Sequence, residues 1–228
     1  MRLNKFWGIF FLLLGKSTAL VLAQPALSWA VADNDPVALL SLTPGPELNT
    51  PMLGEPYTPV VWAVLRGSQD ALAVLLKEGA DPNTRTAAGV PVLFLAAQAG
   101  RLDETQLLLA AGANPLLEDA LGGTWLAAAA QGPSTDLVKE ALARGLSPHQ
   151  ANVLGVTPLL KACQSGNLAT VRLLVEKGAD PLQSDYFGRT SLQMAKRAAV
   201  PELIKFLEPY FQAVPAVKNQ SKTTRALR

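Results

Sequence analysis

The sequence predicts an all-α solenoid of stacked helix-turn-helix units with extended β-turn fingers between them. The first observation behind this is a period. Gly79, Gly112, Gly145 and Gly178 are each 33 residues from the next. The same step links Pro82, Pro115, Pro148 and Pro181, and also Gly89, Gly122, Gly155 and Gly188. It links five alanines too: Ala63, Ala96, Ala129, Ala162 and Ala195. The second observation is that each period holds two apolar stripes at helical spacing, separated by a turn signal. Self-similarity at this interval means a tandem array in which each unit packs on its neighbours, so no single central core is needed.

Residues 1–30 stand outside the period and predict a secretory signal peptide. Arg2 and Lys5 precede the apolar run Phe6 to Leu14; Lys16 interrupts it, and Ser17 to Ala23 resumes it. Three small-x-small cleavage signatures follow or overlap: Ser28-Trp29-Ala30, Ala30-Val31-Ala32 and Val21-Leu22-Ala23. The run is short for a bilayer span, with Lys16 in its middle, so no stable membrane insertion is expected once the leader is removed. Residues 33–57 predict a partial capping repeat. Asp35 to Leu40 reads as a lone second helix, and Asn49-Thr50 to Gly54 echoes the Asn83-Thr84 to Gly89 finger with one residue fewer.

Residues 58–212 hold four full units, Thr58–Gly89, Val90–Gly122, Gly123–Gly155 and Val156–Gly188, and a truncated fifth. The fourth shows the local chemistry. Thr157 can accept from orphan N–H groups at a helix start, and Pro158 fits the first helical position. Leu159, Ala162 and Cys163 form an apolar stripe, Gly166-Asn167 breaks it, and Val171, Leu174 and Val175 form the next. Gly178 terminates that second helix, and Leu182 to Phe187 predicts an extended finger. The third unit carries Gly132-Pro133 where the others have one glycine, which predicts irregular packing. In the fifth, a second helix starts at Pro201 and is expected to stop at Pro209, with Glu202, Lys205 and Glu208 keeping its outer face polar. The tail 213–228 carries Lys218, Lys222, Arg225 and Arg228 and no acid, and is expected to be a disordered basic terminus.

These motifs resemble the ankyrin repeat from Thr58 to about Phe211. The best match is Thr157-Pro158-Leu159-Leu160-Lys161-Ala162-Cys163, followed by Leu173-Leu174-Val175-Glu176-Lys177-Gly178-Ala179-Asp180. The motif histidine is replaced throughout, by Val61, Phe94, Ala127, Leu160 and Gln193. The Thr-Pro pair becomes Pro91-Val92 and Thr124-Trp125. The resemblance implies a protein partner. It also implies that the two residues before each finger glycine, and the one after, point outward: Ala87, Ala88 and Val90; Ala120, Leu121 and Gly123; Val153, Leu154 and Val156; Tyr186, Phe187 and Arg189. This row grows more apolar toward the C-terminal units. It reads either as an exposed ridge along Leu121, Leu154 and Phe187 that binds a partner, or as a row tucked under the next finger. A concave helix face, with Gln164 and Lys196 among its variable positions, is the second candidate surface. The expected partner-binding residues are therefore Leu121, Val153, Leu154, Tyr186, Phe187, Arg189, Gln164 and Lys196.

Charge and chemistry narrow the function classes. Loss of Arg2, Lys5 and Lys16 leaves 17 bases against 18 acids, and all the acids lie beyond residue 30. That balance gives no support for nucleic-acid binding. His149 is the sole histidine, too little for a histidine-based metal site. The glycines are accounted for by helix ends and turns, so no phosphate loop is read. No catalytic residue, metal or cofactor is expected. Cys163 is the lone cysteine and falls in a buried slot; a thiol-based redox sensor is the alternative it offers. The expectation is a monomeric, non-catalytic binding module, exported to the periplasm or, as a second placement, secreted. A secreted effector binding a host protein is the competing reading.

Overall fold

The structure, a computed structural model, describes residues 27–42, 46–52 and 56–212. The expected leader through residue 26 and the basic tail 213–228 lie outside the described residues. The helices come in chain order: α1 (Pro36–Leu42), a 3-10 turn (Pro46–Asn49), α2 (Pro59–Arg66), α3 (Gln69–Lys77), α4 (Val92–Gln98), α5 (Leu102–Ala110), α6 (Trp125–Gln131), α7 (Thr135–Ala143), α8 (Pro158–Ser165), α9 (Leu168–Glu176), α10 (Ser191–Ala198) and α11 (Pro201–Gln212). Even-numbered helices are the first of each pair and stack on one another; odd-numbered helices form the second layer. Among the described residues there is no sheet, only isolated antiparallel bridges at the finger bases, Arg85 with Pro91, Glu118 with Thr124 and Ser184 with Thr190. This is the all-α solenoid that the period predicts.

The repeated residues have local causes. Thr58, Thr124, Thr157 and Thr190 each accept a backbone N–H three residues on, capping α2, α6, α8 and α10. Thr190 completes a reciprocal box with Gln193. Pro91 holds the same slot before α4 without a side-chain cap. The five periodic alanines, Ala63, Ala96, Ala129, Ala162 and Ala195, are all fully buried. They stand where neighbouring first helices approach, and a larger side chain there would force the layer apart. Leu72, Leu75, Leu108, Leu137, Leu174 and Leu203 fill the space between layers.

Three expectations are revised. The packed array begins earlier than residue 33: residues 27–32 are helical, and Leu27, Ala30 and Val31 join the core. The N-terminal capping repeat is thus a helix pair rather than a lone second helix. At the other end, α11 does not stop at Pro209 but runs through it to Gln212. Phe206 anchors this helix from its middle, with Arg172 of α9 over its ring at 4.8 Å. The irregular third unit keeps its helix register. Pro133 falls in the slot of Gly100 and Gly166, where Gly166 has φ 75°, a value closed to proline. The chain instead extends at Gly132, φ −76° and ψ 172°. Gly132 lies so close to α4 that a Cβ there would stand 2.5 Å from the Ala97 carbonyl oxygen. The disturbance is confined to the connection between α6 and α7.

Candidate functional site

Each finger ends in a turn whose first residue cages its own backbone. In the second finger, Asp119 Oδ1 accepts from Leu121 N (2.8 Å) and Gly123 N (2.7 Å). In the third, Asn152 Oδ1 accepts from Leu154 N (3.0 Å) and Val156 N (2.9 Å). In the fourth, Asp185 Oδ1 accepts from Phe187 N (3.0 Å) and Arg189 N (2.9 Å). The first finger has Thr86 in this slot, which accepts only from Val90 N, at 3.2 Å. Asp and Asn are suited to this because their short side chains reach the backbone two residues on. The cage uses up the turn's inward donors and, apart from the half-buried Leu154, leaves the central side chains outside.

Asp185 adds a guanidinium bond to its cage. Its side chain is fully buried. Burial alone would push its carboxyl up. The backbone and guanidinium hydrogen bonds from Arg189, the bond from Phe187 N and the Arg189 charge together outweigh that and hold it below the usual carboxylate range. Arg189 Nε donates to Asp185 Oδ2, and the Arg189 guanidinium lies 5.0 Å from the centre of the Phe187 ring. One buried carboxylate therefore positions the whole tip.

The tips are also tied to one another. Val153 N–H donates to the Leu121 carbonyl at 2.8 Å, and Tyr186 N–H to the Leu154 carbonyl at 3.1 Å. This bonding steps 32 residues rather than 33, so the exposed row runs diagonally. Tyr186 is 79% exposed, Phe187 69%, Val153 61% and Leu121 47%. Leu154 is half-buried. The straight ridge along Leu121, Leu154 and Phe187 is therefore revised to Leu121, Val153, Tyr186 and Phe187. The residue after the finger glycine does not point out as the resemblance implied. Gly123 is buried, Val90 and Val156 pack against the core, and Arg189 is partly covered.

Gln164 and Lys196 are exposed on the first-helix layer. Gln164 lies with Arg189, Met194, Arg197 and Ala198 in a cleft of about 240 Å³ between the fourth finger and α8 and α10. Lys196 sits beside it on α10. Sequence reasoning missed a further exposed row, Leu116 and Leu182, with His149 between them at the same period. The signal was the earlier Asn49 and Asn83 at the corresponding finger positions. Asn49 Oδ1 accepts from Asp81 N and Asn83 Oδ1 from Asn114 N, both at 2.7 Å, tying each unit to the next. From the second unit on, an exposed leucine or histidine stands in that place.

Cys163 is buried, and burial pushes its thiol up to about 12. A thiol so held is not a nucleophile at neutral pH. Among the described residues no group of His, Cys, Asp or Glu could hold a metal ion, and no helix is long and apolar enough to cross a membrane.

A family model described as ankyrin repeats (3 copies) matches residues 27–119 and 124–219. No curated protein matches the chain. Repeats of this family are protein–protein interaction modules and are typically non-enzymatic.

Proposed function

We propose that this chain, which belongs to the ankyrin-repeat family, is an exported binding module that holds a partner protein in the periplasm without catalysing a reaction. The observation that carries this reading is the caged, exposed pair Tyr186 and Phe187 at the end of an apolar row. A contiguous row of apolar side chains held out into solvent marks an interaction surface, and aromatic anchors dominate binding energy. Because the cages already fix the turns, docking orders few additional groups, and little contact energy is lost to entropy. One copy presents the whole surface, so a monomer is the working unit.

The export part rests on the N-terminal pattern and on the first helix pair. Leu27, Ala30 and Val31 are core residues. Cleavage after Ala30 or Ala32 would strip the first helix of the capping repeat, so the leader is cut after Ala23, leaving Gln24 at the new N-terminus. Mass spectrometry of the protein purified from the periplasm tests this; an N-terminus at Val31 or Asp33, or retention in the cytoplasm, overturns it. A photo-reactive amino acid at Tyr186 tests the binding reading. It is expected to yield one discrete protein adduct in living cells, and the same probe at Asp136 of α7 none. Equal yields from both sites, or none from Tyr186, overturn the reading.

A further inference from the structure

We infer that the partner enters as an acidic segment, with a carboxylate in the cleft between the fourth finger and α10 and an apolar side chain on Tyr186 and Phe187. This deepens the protein-binding reading above and rests on it.

Three observations converge. The first is charge segregation between the layers. The first helices α2, α4, α6, α8 and α10 carry Arg66, Lys161, Lys196 and Arg197 and no acid at all. The second helices α3, α5, α7, α9 and α11 carry eight acids against four bases. The finger-facing layer is thus cationic and the opposite layer anionic. The fingers add Asp81, Glu118, Asp119, Asp180 and Asp185 against Arg85 and Arg189, so the positive field that favours an anion is local to Lys196 and Arg197 at the end of α10.

The second observation is which cations are free. Lys161 is bonded to Gln131, Arg66 lies over the Trp62 ring and Arg189 is held by Asp185. Lys196 and Arg197, at the end of α10, are exposed and have no ion-pair partner among the described residues. Their place at a helix C-terminus suits their own charge, so nothing local demands an anion. Yet Arg197 lines a cleft of about 240 Å³ whose other polar walls are Gln164 and Arg189. All three side chains carry N–H donors of the kind that binds a carboxylate.

The third observation is continuity. Arg189 lines the cleft and also lies over Phe187, its guanidinium 5.0 Å from the ring centre. The apolar row and the cationic cleft are therefore one surface joined through Arg189. The chemistry that covers both is a segment with Asp or Glu beside Leu, Phe or Tyr. An apolar segment would leave Lys196 and Arg197 desolvated without a partner, and a polyanion would leave Tyr186 and Phe187 uncovered.

The test pans a phage library of random dodecapeptides against the full chain and against the double variant Lys196→Glu, Arg197→Glu. Selected peptides are expected to carry Asp or Glu next to an apolar residue. Their affinity is expected to fall about ten-fold or more in the double variant and to weaken with added salt. Tyr186→Ser is expected to weaken the same peptides while leaving their acidic bias. Apolar peptides without acidic bias that still need Tyr186 overturn the inference and leave the protein-binding reading standing. Selection on the double variant equal to that on the native chain also overturns it. Self-association abolished by the same double variant would assign the cleft to a second copy, and binding of a random oligonucleotide there would assign it to nucleic acid; either result overturns it. The failure of the protein-binding reading itself is read separately, by the crosslinker at Tyr186.

Discussion

Replacing Phe187 by alanine removes the part of the surface that the binding account leans on most. Phe187 is 69% exposed in the free chain. A phenylalanine carries on the order of 200 Å² of surface, so docking would remove roughly 140 Å² from water. At about 25 cal/mol per Å² that is roughly 3.5 kcal/mol. The alanine keeps its Cβ, and no interface covers a side chain perfectly, which brings the expected loss to ~2 kcal/mol or more, or about thirty-fold in Kd. The fold should barely register the change. Phe187 gives up only its stacking with Arg189, on the order of 0.5–1 kcal/mol at an exposed site. The assay is calorimetric titration of the protein captured at Tyr186, beside urea unfolding of the variant alone. Unchanged affinity with intact folding refutes the ridge. Weakened affinity accompanied by a collapse in stability would mean that Phe187 holds the stack together instead.

Four further outcomes follow from the same geometry. Gly132→Ala places a methyl 2.5 Å from Ala97 O and 2.9 Å from Gln98 O; a loss of about 1–3 kcal/mol in urea unfolding is expected, and wild-type stability contradicts the close approach. Cys163 should resist a thiol reagent until the chain unfolds, and fast labelling of the folded protein restores the sensor alternative. Because its folded thiol is pushed from 9.0 up to about 12, its contribution is complete below pH 9 and is lost as pH rises from there toward 12; Cys163→Ala should remove that alkaline component from the stability profile. Asp185 is held low in the folded state, so its contribution is present above the ordinary carboxylate range and is lost as pH falls through the lowered value; Asp185→Asn should flatten the acid limb, and Asp185→Ala, which also removes the acceptor, should raise exchange of the Phe187 and Arg189 amides.

How much of this could be read in the sequence depends on whether a residue's cause is local. Gly178 takes φ 92° to end a helix, and Thr157 caps one, from interactions within a few residues. The glycine recurs in all four full units and the threonine cap at every first helix from α2 to α10 except α4, where Pro91 stands, and they mark the fold directly. The tip row was legible in composition but not in register. Only the bonds from Val153 N to Leu121 O and from Tyr186 N to Leu154 O decide that Val153 stands out and Leu154 is half-covered. The start of the array was misplaced because a short apolar run with small residues, Leu27 to Ala32, fits a leader's end as well as a packed helix. Burial of Val31 separates the two, and that is a tertiary fact. Pro209 misled for a related reason. A proline deprives the helix of one N–H, but packing around Phe206 and Leu207 carries α11 onward. The cleft brings together Gln164, Arg189 and Arg197 from two helices and a finger, which no spacing announces.

The most direct measurement is a hydrogen-exchange footprint of the purified chain with the partner that crosslinks to Tyr186. Slowed exchange in the finger turns 152–156 and 185–189 and along α10, with α3, α5 and α7 unchanged, is the predicted pattern. Slowed exchange confined to the odd-numbered helices, with the finger turns as open as in the free chain, would contradict it.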